Sequence, residues 1–199
     1  MLRSPIAALG ALVLLVLVHT TPASAANPAD FVKDMGDKAF ASMSEPGLTQ
    51  EERAKRFRVL LNDAFDLPRI ARFTLGRYWR TATDAEKTEF VELFEKFVIQ
   101  AYSTRFQDLS GKKLNVIQAR EVSASQALVL SEILTPGKPA VKINWRVRSK
   151  DEAHKIVDVM VQGISMSVTQ RDEFAAVIRQ TGGRVGGLIK ALRRKTSSN

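Results

Sequence analysis

The sequence predicts an α+β fold, with helices packed on one antiparallel, twisted sheet of four strands or slightly more. Two changes of period carry that prediction. Apolar residues recur at helical spacing as far as Tyr102, at strand spacing from Lys113 to Ile164, and at helical spacing again from Val168. Helices, then strands joined by short turns, then helices is an α+β order. The clearest strand is VKINWRVRS, residues 141–149. There Val141, Ile143, Trp145 and Val147 alternate with Lys142, Asn144, Arg146 and Arg148. Successive strand side chains point to opposite faces, so one face is apolar and needs cover.

The first helix is expected through Phe31, Met35, Phe40 and Met43, and a second over Thr49–Phe65 with Phe57, Leu60, Leu61 and Phe65 on one face. Pro68 suits the first turn of a short third helix ending near Leu75. Thr83-Asp84-Ala85-Glu86 has capping-box spacing and opens a long helix with an apolar stripe from Phe90 to Tyr102. Strands follow at Leu114–Val122, Gln126–Thr135, Ala140–Arg148 and Lys155–Ile164, paired as an antiparallel meander. A helix over Val168–Gln180 stops at Gly182-Gly183, and Gly186-Gly187 precede a short basic helix, Leu188–Arg194.

The chain starts with Arg3, an apolar stretch from Ile6 to Val18, and Ala23-Ser24-Ala25. Those are the parts of a cleavable secretory signal peptide, and the apolar run is too short to span a bilayer. Residues 1–25 are therefore expected to be removed, leaving 26–199 as one exported domain. One of the 30 basic residues lies in the leader, so 29 face 21 acidic ones, a net charge of +8. With no cysteine there are no disulfides, thiolates, sulfur-bound metals or lipoprotein anchor, and the domain depends on its apolar core.

Catalytic chemistry is hard to assemble from what remains. His154 is the one histidine left after the leader, so a Ser-His-Asp arrangement has a single base to draw on, and no spacing suggests a metal site. TGGRVGGLIK lacks the order of a phosphate-binding loop and follows a helix rather than a strand. Asp84, Glu86, Glu89 and Glu92 fall at the spacing of a solvated helix face. Asp158, inside the apolar strand IVDVMV, reads as a hydrogen-bonded structural carboxylate. Arg69, Arg72, Arg77 and Arg80 gather around the third helix and Arg193-Arg194-Lys195 near the end. No nucleic-acid motif accompanies them, and a docking surface for an acidic partner or simple solubility explains them equally well. The expectation is a non-enzymatic monomer without cofactor or metal. Periodicity alone does not distinguish a packed core from a cavity.

Two segments bear on that choice. LGRYWRTATDAEKTEFVELFEKFVIQAYSTRF, residues 75–106, and KIVDVMVQGISMSVTQRDEFAAVIRQTGG, residues 155–183, resemble the characteristic segments of the MlaC family, also called the toluene-tolerance family. The second has the family's pattern of Asp in a strand, Gly-x-Ser, a later aromatic and a late glycine. The resemblance covers Ala29 to Leu192. It implies a periplasmic shuttle carrying phospholipid between the two membranes of Gram-negative bacteria, with an apolar pocket for acyl chains enclosed between helices and sheet. Implied partners are an inner-membrane ABC transporter with an MCE-domain ring and an outer-membrane lipoprotein–porin complex. One departure is His154, where many members have tryptophan; it bears on subfamily and cargo rather than fold. Related proteins are encoded with hopanoid-synthesis enzymes, so a hopanoid is an alternative cargo.

By the same resemblance, Val141, Ile143 and Trp145 match strand positions facing the lipid cavity, Ile164 and Met166 match the neighbouring wall, and Leu75, Tyr78 and Trp79 fall at the helical side or mouth. Gly76 and Gly163 are expected where a side chain would crowd a close contact. Two other readings stay open: a ligand-free adaptor whose apolar faces are all core, and an enzyme on a lipid-like substrate with Asp158 as acid or base.

Overall fold

A computed structural model describes residues 27–104, 111–151 and 153–197. The expected leader lies outside them, as do Arg105 and Phe106 of the first family-like segment. Helix α1 (Pro28–Met43) starts with the Asn27 side chain accepting from the Ala29 N–H, and α2 (Gln50–Ala64) with a capping box between Thr49 and Glu52. The carbonyls ending α1 are met from α2: Arg53 Nη1 donates to Met43 O at 3.2 Å and Arg56 Nη1 to Ser42 O at 2.6 Å. Helix α3 (Leu67–Leu75) has Pro68 in its first turn and runs into a 3-10 turn, Gly76–Arg80. Helix α4 (Asp84–Ser103) carries the capping box read from Thr83 and Glu86.

Five antiparallel strands follow in chain order across the sheet: β1 (Lys113–Ser123), β2 (Gln126–Thr135), β3 (Lys138–Lys150), β4 (Ala153–Val161) and β5 (Ile164–Ser165). The single strand expected over Lys155–Ile164 is two. Gln162 and Gly163 have φ of 50° and 83°, the signs of a two-residue hairpin turn, and Ile164 returns to pair with Val161. A Cβ on Gly163 would meet nothing within 4 Å, so its backbone angle, not crowding, calls for glycine. At Gly76 both reasons hold: φ is 57°, and a Cβ would lie 3.3 Å from the Arg171 side chain.

Helix α5 (Met166–Gln180) begins two residues before its expected start because Ser165 caps it, accepting from the Val168 N–H. Helix α6 (Val185–Ser197) is longer than expected and contains Gly186 and Gly187 instead of following them. A Cβ on Gly187 would fall 2.0 Å from Thr181 Oγ1 and 3.1 Å from the Thr181 carbonyl oxygen. Glycine there lets the first turn of α6 close on the α5–α6 corner.

The buried residues form two clusters. The larger lies among α2–α6 and the end of α1, where the Phe174 ring meets Phe90 edge-on at 5.7 Å and Phe97 at 5.8 Å. The smaller joins α1 to the sheet through Val32, Ala64, Val129, Val147 and Ile156. Phe65 packs against both and forms a parallel bridge with Ile156, where the Asp66 N–H donates to Ile156 O at 3.0 Å. That bridge fixes the helical layer to β4.

The two glycines of α6 give opposite expectations. Gly187→Ala overpacks the corner and costs about 1–3 kcal/mol. Gly186→Ala meets only Glu86 Oε1, at 3.5 Å, and gains up to about 1 kcal/mol of helix propensity. Urea unfolding of both variants checks the pair; equal stabilities would refute the close approach.

Candidate functional site

The strand register aligns four cross-strand rows on one face of the sheet. Moving along β3, they are Glu121–Ala127–Val147–Ile156, Ala119–Val129–Trp145–Val159, Val116–Ser131–Ile143–Val161–Ile164, and Leu114–Ile133–Val141. Helix α1 crosses this face from the β4 side, where the Phe31 ring is 5.6 Å from His154, to β1, where a Cβ on Gly36 would lie 2.5 Å from Leu114 Cδ2. Val32, near the start of α1, is sealed against Val129, Val147 and Ile156.

The corner built by β3, β4 and β5 escapes this cover. Along β3, exposure rises from 0% at Val147, through half-buried Trp145 and Ile143, to 36% at Val141, and Ile164 is 61% exposed. Ile133, Val141, Ile143, Val161 and Ile164 pack into neither buried cluster. They form a contiguous apolar surface beside a sealed one. The opposite face presents Lys142, Asn144, Arg146 and Arg148, as the alternation requires.

Two polar groups shape this corner. Ser131 is 1% exposed in the middle of the apolar face; its hydroxyl donates to Ile143 O at 2.5 Å and accepts from Trp145 Nε1 at 2.9 Å. The indole is thereby fixed at the border between covered and open rows. Asp158 is 8% exposed and accepts from Ser165 Oγ at 2.6 Å and the Ser167 N–H at 3.1 Å. The carboxylate thus holds the start of α5 against β4 and sets Met166, the first residue of that helix, next to β5.

The eight residues singled out from the sequence divide between two places. Val141, Ile143, Trp145 and Ile164 share the apolar face, and half-buried Met166 follows β5 as the first residue of α5. Leu75, by contrast, is 1% exposed inside the helical cluster, with Tyr78 and Trp79 packed against it. Trp79 lies between Arg72 and Lys87, whose charged groups are 5.9 and 6.0 Å from its ring. Tyr78 accepts from Arg77 Nη2 at 3.1 Å. That hydrogen bond, with the charges of Arg77 and Arg179 behind it, lowers the phenol's pKa from its ordinary value against a smaller desolvation effect. Ser131 escaped the sequence reading, although its place in Ala127-Val129-Ser131-Ile133 put it on the apolar face. Among the described residues, no group of three or more acidic or histidine side chains is placed to hold a metal, and no helix is long and apolar enough to cross a membrane.

Ser131→Ala leaves the Trp145 N–H without its partner in a half-buried site, a cost of about 1–3 kcal/mol. Trp145→Phe in the same background should restore part of it. A double-mutant cycle by urea unfolding measures the coupling, and purely additive effects would remove Ser131 from this role.

Comparison with known proteins joins these observations. A solved structure of a phospholipid-binding protein from Ralstonia solanacearum, in complex with a phospholipid, superimposes with a TM-score of 0.78 at 22% sequence identity. The match covers 86% of this chain and 98% of that one, and establishes a shared fold. The profile of the family described as MlaC protein matches residues 33–194, almost the whole of the described structure, so the chain belongs to the MlaC family.

Proposed function

We propose that this protein is a periplasmic lipid carrier that holds acyl chains against the open apolar corner of its sheet and shuttles phospholipid between the inner and outer membranes. The carrying observation is the run Ile143–Val161–Ile164, apolar and packed into neither cluster, with the satisfied Ser131 beside it in the same row. Family membership supports the reading, as does the phospholipid in the structural neighbour. On this reading residues 1–25 are a cleaved export signal and 26–199 the lipid-binding domain. The partners are an inner-membrane ABC transporter with an MCE-domain ring and an outer-membrane lipoprotein–porin complex.

The energetics state what the carrier must supply. An acyl chain of about 15 methylenes costs on the order of 12 kcal/mol in water, at ~0.8 kcal/mol per methylene. Shielding the chain offsets that cost without giving direction, because the chain is already apolar in the membrane it leaves. Partners must therefore tip the exchange. No covalent step is involved, and Asp158 serves as the anchor of α5.

Native mass spectrometry of the mature protein purified without detergent, followed by lipid extraction, tests the proposal. The wild type should carry a lipid mass, and extraction names it as phospholipid or the alternative hopanoid. Ile143→Glu and Ile164→Glu should each abolish loading with an unchanged circular-dichroism spectrum, since both sites lie outside the packed clusters. Full occupancy in both variants would move the site elsewhere. A wild type that stays empty and takes nothing from labelled liposomes would instead be a ligand-free adaptor.

A further inference from the structure

A second concavity lies in the helical layer. A groove of about 670 Å³ runs between the 3-10 turn, the start of α4 and the start of α6, and Arg77, Arg80 and Arg184 line it together with Tyr78. Among the described residues, the one carboxylate on its wall is Glu86, whose Oε2 accepts from the Thr83 N–H at 2.9 Å and Thr83 Oγ1 at 3.2 Å as part of the α4 cap. Arg77 is engaged with the Tyr78 ring and hydroxyl, and neither Arg80 nor Arg184 has a carboxylate partner among the described residues. Three guanidinium groups thus face one recess against a single committed anion.

Position separates this groove from the proposed lipid face. Met166, at the apolar corner, is the first residue of α5; Gly183 and Arg184, at the groove, follow its end. Fifteen residues of α-helix span about 22 Å. A headgroup attached to chains at the corner is therefore remote from the Arg184 end of the groove. The recess is concave, which suits a protruding segment better than a bilayer plane. Arginine beside a half-buried tyrosine is the composition of protein-interface hot spots, and the guanidinium fork takes carboxylates in a bidentate geometry.

We infer that the groove lined by Arg77, Arg80 and Arg184 docks an acidic segment of a protein partner, two or three Asp or Glu side chains replacing water around the three guanidinium groups. The assignment rests on charge and shape at that end of the molecule and is independent of the cargo.

The test uses the mature chain and a fluorescein-labelled hexaglutamate peptide, followed by anisotropy at low ionic strength. The triple variant Arg77→Ala/Arg80→Ala/Arg184→Ala is compared with Arg120→Ala/Lys138→Ala/Lys142→Ala, which removes the same charge from exposed strand positions. The groove variant should bind the peptide about tenfold more weakly, with the control within about threefold of wild type. Equal weakening in both would reduce the effect to net charge and overturn the inference. So would groove-dependent co-sedimentation with phosphatidylglycerol vesicles without peptide binding, which would make the surface a membrane contact. Lipid loading of the groove variant, read by native mass spectrometry, should match wild type; this reports on the carrier proposal separately from the docking one.

Discussion

The single crossing of α1 over the sheet decides how the rest of the molecule is arranged. A face of four cross-strand rows needs more than one helix to seal it, and here one helix runs from the β4 side at Phe31 to β1 at Leu114. Close approach at Gly36 lets α1 reach the sheet edge, and by Phe40 and Met43 the helix has passed into the helical cluster. What it leaves behind is the corner of β3, β4 and β5. Had α1 been followed by a second helix on the sheet, Ile143 and Val161 would be core residues like Val147. Instead the helices after α2 pack on one another, and the bridge between Phe65 and Ile156 holds them beside β4.

An open apolar corner survives folding only if its neighbours are rigid. The structure supplies rigidity through polar groups that are fully engaged in low-dielectric surroundings, where an unmet hydrogen bond is most costly. Ser131 ties the indole of Trp145 to the backbone of Ile143, and Asp158 ties the start of α5 to β4. Ser131 lies on the apolar face, at the border between its sealed and open parts, and Asp158, paired with Arg146, holds β4 from the opposite face. On the carrier reading, these anchors keep the corner from collapsing onto itself when no lipid is present, so that loading does not have to rebuild the wall each time.

How much of this could be read from the sequence depended on the range of the determining contacts. The bounds of β2 and the capping box at Thr83 follow from neighbours within a few residues, and the period-two pattern of β3 placed Val141, Ile143 and Trp145 on one face directly. The reversal at Gln162-Gly163 was hidden because Gln is an uncommon residue in a turn that needs positive φ at both central positions. The two glycines of α6 read as lying before the helix because the Thr181 side chain that demands Gly187 is brought there only by the α5–α6 corner. Leu75, Tyr78 and Trp79 lie in the first family-like segment and Ile164 and Met166 in the second, yet the first three belong to the helical cluster. A motif shows that residues travel together in sequence; only the tertiary path of α3 shows which core they enter.

On the carrier and docking proposals, the same tertiary path separates two tasks that conflict chemically. A surface for acyl chains must be apolar and shielded from water, whereas a surface for an acidic partner must keep its guanidinium groups hydrated until the partner arrives. Placing arginines beside Ile143 and Ile164 would either desolvate them or wet the chains, and desolvating an unpaired cation costs several kcal/mol. Helix α5 resolves the conflict by distance: pinned to β4 by Asp158 at one end, it reaches the corner before Arg184 at the other. A carrier built this way can be held by its partner while its cargo face stays free to meet the membrane or channel that receives the lipid.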